Sequence, residues 1–289
     1  RAVLFGRVWN EGPTIGSITH TIGSLRWGRD GSLLASTGDG AQFDYADAGG
    51  QDADMFLPGR ADPYEDIGAF RSQYLGSLAG KLLRLDPQTG HGYPNNPFYD
   101  GDPASVRSRI WTYGVRNPFR FTIRPGTGSS SPAAGSPGTI YLSDVGWANW
   151  EECNVIKAPG MNMGWPCYEG FEPNSEYQVK HPLHEGCDSI GTNYWNPNPV
   201  SPPLIAWNHS NENASVPPGF RGNTATGGVF YTGNRYPLEY RNKYFFTDYG
   251  ANFMRVMEVT SNDSLVGLMP FGLDMESPVD ITTNPLNGD

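Results

Sequence analysis

A histidine and an aspartate flank a pair of candidate strands near the start of the chain. His20 precedes the two strands and Asp39 follows the second of them. Histidine is the usual general base because its pKa lies near neutrality, and a carboxylate on its other ring nitrogen can orient it. The two residues are therefore a candidate catalytic pair. The alternative is that His20 is a loop histidine bonded to backbone.

A second candidate group is Arg116 and Asn117, which Pro118 follows directly. A planar guanidinium beside an amide, held in place by proline, can bind a carboxylate or carbonyl group through two hydrogen bonds. This pattern is typical of an anion clamp. In the structural alternative, Arg116 pairs with an acidic loop residue and Asn117 caps the turn.

The third group is the turn that begins at Gly146 and Trp147, just before Glu151 and Glu152. Backbone carbonyls exposed by such a turn can bind calcium, which takes oxygen ligands in flexible geometry. The acidic loop 44–54 is a second candidate for calcium, although its spacing is not that of an EF-hand. A solvated acidic surface is the alternative for that loop.

Composition indicates that strands and turns must position these groups. The 289 residues include 37 glycines and 25 prolines, and only 17% are charged, against about 25% in an average globular chain. Helical periodicity is almost absent. Short apolar runs bounded by turn residues predict strands at 33–37, 81–85, 119–123, 139–143, 229–232, 244–247 and 253–259.

A weak repeat favours an all-β propeller over a sandwich. A strand ends in Ser/Thr-Asp-X-Gly at Ser143 and again at Thr247, and a shorter form occurs at Thr37. The intervals are 143 − 37 = 106 and 247 − 143 = 104 residues, about twice the ~50-residue unit of larger propeller blades. No break in composition marks a boundary, so we expect residues 1–289 to form a single β-propeller domain.

Charge and hydropathy exclude two classes of partner. The formal net charge of −10 argues against a nucleic-acid ligand, whose phosphates would be repelled. No run of 18 apolar residues exists, so we expect no membrane span. Any anionic ligand must therefore be held by a few local cations.

Cysteine spacing and sequons indicate an exported protein. Cys167 and Cys187 lie 20 residues apart in a loop-rich segment, and we expect a disulfide typical of an oxidising compartment. Two unpaired thiols are the alternative. Asn208, Asn213 and Asn262 each begin an Asn-X-Ser acceptor pattern for glycosylation. We therefore expect a periplasmic, secreted or otherwise extracellular location.

The order of these motifs along the chain resembles the glucose/sorbosone dehydrogenase family. The resemblance runs from about residue 17 to about residue 281 and is carried by blocks at 20–40, 78–85, 114–120, 144–156, 162–170 and 227–233. It implies a six-bladed β-propeller of four-stranded antiparallel blades. The family's first propeller segments are absent and the closing strand is not reached, so we expect a portion of a longer polypeptide, incomplete at both ends.

The resemblance also implies a cofactor and a reaction. Members of the family are soluble quinoproteins that hold pyrroloquinoline quinone (PQQ) with calcium and oxidise an aldose at C1 to a lactone, passing electrons to an external acceptor. By resemblance, His20 is the base that takes the hydroxyl proton, and Asp39 orients it. Arg116 and Asn117 correspond to contacts of the quinone.

By resemblance, the carbonyls of Gly146 and Trp147 hold the calcium of the cofactor. The family's later lysine and paired arginines have no counterpart in 246–250 or 276–280. Arg26 or Arg255 would then have to supply the missing positive charge, because an uncompensated anion is costly to desolvate.

Two functions are consistent with the sequence. The first is a calcium-containing quinoprotein oxidoreductase that acts on a sugar or related polyol. The second is a non-catalytic extracellular propeller that serves as a binding or structural module beside other domains of the same polypeptide. The sequence feature that distinguishes the two functions is the absence of the family's later lysine and paired arginines.

Overall fold

Three four-stranded antiparallel sheets form the framework of the computed structural model, which describes residues 3–8, 10–182, 186–192, 196–210 and 220–289. The strands are β1 Ile22–Trp27, β2 Leu33–Thr37, β3 Lys81–Leu85, β4 Ile110–Tyr113, β5 Pro118–Ile123, β6 Ile140–Asp144, β7 Trp150–Ile156, β8 Tyr168–Glu169, β9 Glu172–Pro173, β10 Ile205–Asn208, β11 Ala225–Phe230, β12 Tyr244–Asp248, β13 Phe253–Val259 and β14 Leu265–Gly272. The helices of the described residues are short: α1 Val106–Arg109 and α2 Ser175–Gln178, with 3₁₀ turns at Ala53–Phe56, Pro63–Glu65, Gly68–Ser72, Pro132–Ala134, Cys187–Ser189 and Leu238–Tyr240.

Strand β5 of the middle sheet joins the three sheets. Their strand orders are β1-β2-β3-β4, β10-β7-β6-β5 and β11-β12-β13-β14, while β8 and β9 form a small hairpin. Strand β5 contacts both β1 and β11, so the three sheets meet along these strands. The prediction of an all-β chain of four-stranded antiparallel sheets is confirmed, and the number of blades stays a prediction.

Apolar side chains fill the space between neighbouring sheets. Leu34 and Leu82 of the first sheet pack with Phe121 of the second. Trp207 of the second sheet packs against Phe246 of the third. Strand β3 is buried along its whole length, and its two charged residues, Lys81 and Arg84, are buried together with its leucines.

The Asp-containing repeat marks the second strand of each sheet. Asp144 ends β6, Asp248 ends β12, and Asp39 follows β2 by two residues. The repeat occurs once in each sheet, so each interval corresponds to one sheet and its connections and not to two ~50-residue units. Long connections between β2 and β3 and between β7 and β10 account for the extra length.

The predicted disulfide is present, and Cys167 bonds to Cys187. Cys153 is buried and free. Of the sequons, Asn262 is exposed and Asn208 is half-buried, while Asn213 lies outside the described residues. No helix among those described has the length and apolar character needed to cross a bilayer.

A buried ion pair stabilises the first sheet. The Nη2 atom of Arg84 lies 2.7 Å from Oδ2 of Asp30, and both side chains are fully buried. Nη1 of Arg84 also donates to Oδ1 of Asn96 at 2.8 Å. The pair replaces the hydration that both charges lose on folding.

We expect Asp30→Asn to lower the free energy of unfolding by about 3–5 kcal/mol, because it leaves a buried guanidinium without its counter-ion. Urea denaturation followed by circular dichroism measures this change. Arg235→Ala is the matched control, since the Arg235 side chain is 77% exposed in its pair with Asp289; its effect should stay within about 1 kcal/mol. Equal losses in the two variants would contradict the assignment.

Candidate active site

His20 and Asp39 form a buried pair at the end of the first hairpin. Strands β1 and β2 are antiparallel, with Ile22 opposite Thr37, so the start of one strand meets the end of the other. Nδ1 of His20 lies 2.7 Å from Oδ1 of Asp39. The residues are 8% and 1% exposed. The structure thus brings the predicted pair together.

The backbone around this pair is tightly constrained. His20 has φ 55°, in the left-handed region, which costs a non-glycine residue of order 1 kcal/mol or more and persists only where the surroundings impose it. A Cβ at Gly38 would lie 2.3 Å from the carbonyl oxygen of His20. Glycine is therefore required at position 38 for the hairpin to present His20 to Asp39.

Both oxygens of Asp39 have donors. Oδ1 also accepts from the amide of Ala41 at 3.0 Å, and Oδ2 accepts from Nε1 of Trp165 at 2.7 Å. Burial alone would raise the pKa of Asp39, but His20 and Arg116 outweigh it and lower that pKa. Asp39 is then an ionised acceptor of the Nδ1 proton, so in the neutral form of the His20 ring the lone pair lies on Nε2.

Asp144 positions the predicted clamp through its backbone. Oδ2 of Asp144 accepts from the amide of Arg116 at 2.9 Å, and Oδ1 accepts from the amide of Asn117 at 2.7 Å. Burial raises the pKa of Asp144 to about 7, although these two amides oppose the rise. The start of β5 is thereby tied to the end of β6.

The Arg116 side chain connects the other parts of the site. Its Cζ lies 5.4 Å from the ring centroid of Trp165, the residue that also binds Asp39. Its Nη1 donates to the carbonyls of Val145 at 3.0 Å and Gly146 at 2.6 Å. No ion pair with a carboxylate of the described residues is present, so the acidic-partner alternative is not what the structure contains. Nε and Nη2 have no acceptor within the described part of the chain.

Glu169 organises the turn predicted to bind calcium. Its Oε1 accepts from four consecutive backbone amides at 2.7, 2.9, 3.0 and 3.1 Å, those of Trp147, Ala148, Asn149 and Trp150. A Cβ at Gly146 would lie 1.7 Å from the carbonyl oxygen of Trp150, so this turn requires glycine. The sequence motif 162–170 contains Trp165 and Glu169, but their roles depend on tertiary contacts that spacing does not indicate.

The oxygen ligands available for calcium are backbone carbonyls. Within the described ranges, no cluster of three or more His, Cys, Asp or Glu side chains could hold a metal. The Gly146 carbonyl already accepts from Arg116, and a carbonyl oxygen has a second lone pair. In the acidic loop 44–54, Asp47 binds the amides of Gln42 and Gly49.

Two further basic side chains are buried near Asp39. Arg71 donates to the carbonyls of Asp39 and Gly40, each at 3.0 Å. Nζ of Lys81 donates to three carbonyls, among them that of Ala79 at 2.6 Å, and burial lowers the pKa of Lys81 well below its usual value. These contacts fix the long connection between β2 and β3. Both side chains are therefore structural.

Arg26 and Arg255, the residues suggested to supply the family's missing positive charge, lie elsewhere in the structure. Arg26 is exposed on β1. Arg255 lies on β13, with its Cζ 4.1 Å from the ring centroid of Phe220. Of these three arginines, Arg116 is therefore the one that the structure places beside His20 and Asp39.

The sequence matches the glucose/sorbosone dehydrogenase family over residues 2–271. Aldose sugar dehydrogenase YliI of Escherichia coli K12 is 32% identical over 107 residues, which are 35% of this chain and 25% of that protein. Two solved structures are also similar. Both are under 25% identical, so they bear on the fold alone.

The first of these structures is the PQQ-bound form of aldose sugar dehydrogenase from Streptomyces coelicolor, at 19% identity and a TM-score of 0.50, covering 90% of this chain and 51% of that one. The second is the apo-form of the soluble aldose sugar dehydrogenase from Escherichia coli, at 21% identity and a TM-score of 0.56, covering 96% of this chain and 62% of that one. The chain therefore spans about a quarter of the length of YliI and 51–62% of the length of these two structures.

We expect the disulfide beside Trp165 to stabilise the fold substantially. Replacing Cys167 and Cys187 together by serine frees a loop of 20 residues, which should lower the free energy of unfolding by about 3 kcal/mol. Urea denaturation with and without a phosphine reductant measures the effect. Reductant should destabilise the parent protein and leave the double variant unchanged. Equal stability of all four samples would contradict this role.

Proposed function

The chain belongs to the glucose/sorbosone dehydrogenase family, and on this premise we propose that it contributes to an oxidoreductase acting on a sugar or related polyol. The proposed reaction oxidises the C1 hydroxyl of an aldose, with PQQ and calcium as cofactors. The observation that carries the proposal is the buried His20–Asp39 pair, whose hydrogen bond is 2.7 Å long.

His20 is the proposed general base. The ionised carboxylate of Asp39 holds the Nδ1–H edge, so the Nε2 lone pair accepts the proton of the substrate hydroxyl. As the O–H bond breaks, the carbonyl C=O bond forms and hydride leaves C1. When bound, a quinone would supply the two-electron oxidant for this hydride, with an external acceptor to reoxidise it. Trp165 keeps Asp39 in place by donating to its second oxygen.

The described residues around Arg116 fit one part of a quinone cofactor. Arg116 is 6% exposed, is held over Trp165, and retains its Nε and Nη2 donors for a carboxylate or carbonyl group. Asn117 follows it at the start of β5 and is the proposed second contact. The carbonyls of Gly146 and Trp147 are the proposed calcium ligands, since hard cations prefer oxygen.

We further propose that the three sheets belong to a six-bladed propeller within one polypeptide. Three sheets in a chain that spans 51% and 62% of two solved relatives are what half of such a propeller would contain. Leu25 and Trp27 on β1 are 55% and 65% exposed. A neighbouring blade would cover these apolar side chains.

An exported location is proposed on the basis of the Cys167–Cys187 bond, because disulfides persist in oxidising compartments. Asn262 is exposed and is the sequon most accessible for glycan addition among those that the structure describes. The periplasm, the cell surface and the extracellular space all satisfy this condition.

One observation favours the alternative of a non-catalytic propeller used as a binding or structural module. The buried cations Arg71 and Lys81 bind backbone carbonyls. They are therefore not available to neutralise the carboxylates of a quinone. This alternative predicts that the protein does not bind PQQ.

We expect His20→Gln to lower kcat for aldose oxidation by about 10²–10⁴-fold while PQQ binding persists, because the change removes the base alone. The measurement is aldose-dependent dye reduction by the full-length protein loaded with PQQ and calcium. His91→Gln is the control, since His91 lies in the turn after β3. An unchanged kcat in His20→Gln would refute the assigned role.

Arg116→Gln should weaken PQQ binding about 10- to 100-fold, because a charge-assisted hydrogen bond contributes about 1.5–3 kcal/mol. Fluorescence titration with PQQ measures the dissociation constant without requiring turnover. Arg60→Gln, at an exposed position in the connection between β2 and β3, is the matched control. No PQQ binding by the parent protein would favour the non-catalytic alternative.

A further inference from the structure

The ring of Tyr177 packs against two tryptophans that border the candidate active site. Its centroid lies 5.1 Å from that of Trp165 and 5.4 Å from that of Trp147. Both contacts are edge-to-face, with interplanar angles of 67° and 69°, an arrangement that aromatic pairs favour. The Tyr177 residue is 1% exposed. One buried ring therefore sets the separation of the two indoles.

Each of the two tryptophans contacts a different side of the site. Trp165 donates from its Nε1 to Oδ2 of Asp39 at 2.7 Å, so it belongs to the side that contains the proposed base. Trp147 belongs to the turn proposed to bind calcium, and its Nε1 donates to the carbonyl of Phe43 at 2.7 Å. Tyr177 is thus the packing partner that the two sides share.

Arg116 connects the same two segments through its guanidinium. Its Cζ lies 5.4 Å from the ring centroid of Trp165, and its Nη1 donates to the carbonyl of Gly146 at 2.6 Å. A change in the spacing of the two indoles would move this carbonyl relative to the Trp165 ring. The guanidinium would then lose one of these two contacts. Tyr177 can therefore determine the position of Arg116 without touching it.

Helix α2 carries Tyr177 and is tied to the disulfide. Nε2 of Gln178 donates to the carbonyl of Cys167 at 2.7 Å, and Sγ of Cys187 lies 3.7 Å from the carbonyl oxygen of Tyr177. Both cysteines of the disulfide therefore contact this helix. Because Cys167 follows Trp165 by two residues, the same bond constrains the chain on both sides of the contact between Tyr177 and Trp165.

We propose that Tyr177 is a positioning residue of the candidate active site, and that its ring acts through Trp165 and Trp147 to hold the base and the clamp in place. The effect on catalysis rests on the proposed function, whereas the effect on the two indoles does not. The hydroxyl oxygen of Tyr177 accepts from the amide of Asp47 at 3.2 Å, so this bond can be removed without removing the ring.

Hydrogen exchange of the two indole N–H groups tests the positioning directly in the full-length protein. Tyr177→Met replaces the ring by a flexible apolar chain, so the indole N–H groups of Trp165 and Trp147 should exchange with solvent about tenfold faster or more. Tyr177→Phe keeps the ring and should exchange at the parent rates. Nitrogen-15 NMR measures the exchange, and Trp165→Phe and Trp147→Phe assign the two signals.

Tyr244→Met is the matched control, because it removes a fully buried ring from the third sheet. It should leave the exchange of both indoles unchanged. Parent exchange rates in Tyr177→Met, or equal acceleration in the control, would overturn the proposal. If Tyr177→Met does not fold, the double variant Cys167→Ser/Cys187→Ser releases the helix instead. It should accelerate the same two signals, and parent rates in this variant would also overturn the proposal.

PQQ binding and turnover provide the functional measurement. In the protein loaded with calcium, Tyr177→Met should weaken PQQ binding and lower kcat for aldose oxidation by roughly 10²-fold, because small displacements of positioned groups are costly. Tyr177→Phe should behave as the parent does. PQQ affinity and kcat unchanged in Tyr177→Met would contradict the positioning role. Faster indole exchange in a protein whose parent does not bind PQQ would support the positioning and contradict the proposed function.

Discussion

A buried carboxylate needs a donor on each oxygen, because no water compensates its charge. Asp39 meets this requirement with His20 on one side and Trp165 on the other. Its own backbone binds Arg116 through the amide and Arg71 through the carbonyl. Base, aromatic wall, clamp and buried cation are therefore positioned by one residue. Loss of this carboxylate would remove the contacts that hold these four groups in position.

The same arrangement recurs at the ends of the other second strands. Asp144 binds the two amides that precede β5, and Asp248 binds the amides of Thr224 and Ala251. The three sheets thus supply a repeated anchor at one edge, and the loops attached to each anchor differ. Among the described residues, only the first of these aspartates has a histidine in hydrogen-bonding contact, so we expect the candidate chemistry at the first sheet.

Residue type and local pattern predicted many of the strands but few of the side-chain contacts. The segments 33–37, 81–85 and 253–259 have the predicted bounds, since apolar runs between turn residues are a local signal. Strand β11 begins at Ala225, earlier than predicted, because Gly227 and Gly228 weaken the strand pattern. The His20–Asp39 pairing followed from antiparallel strand ends. Glu169 and Trp165 were not assigned roles, because their partners lie many residues away and only the folded chain brings them together.

The central claim is that Asp39 fixes His20 with the proton on Nδ1 and leaves Nε2 as the base. Nitrogen-15 NMR of the histidine rings tests this claim most directly, with the His20 signals assigned by comparison with His20→Gln. Above the pH at which His20 is protonated, the account predicts a protonated Nδ1 and an unprotonated Nε2. A proton on Nε2 with a bare Nδ1 under the same conditions would contradict it.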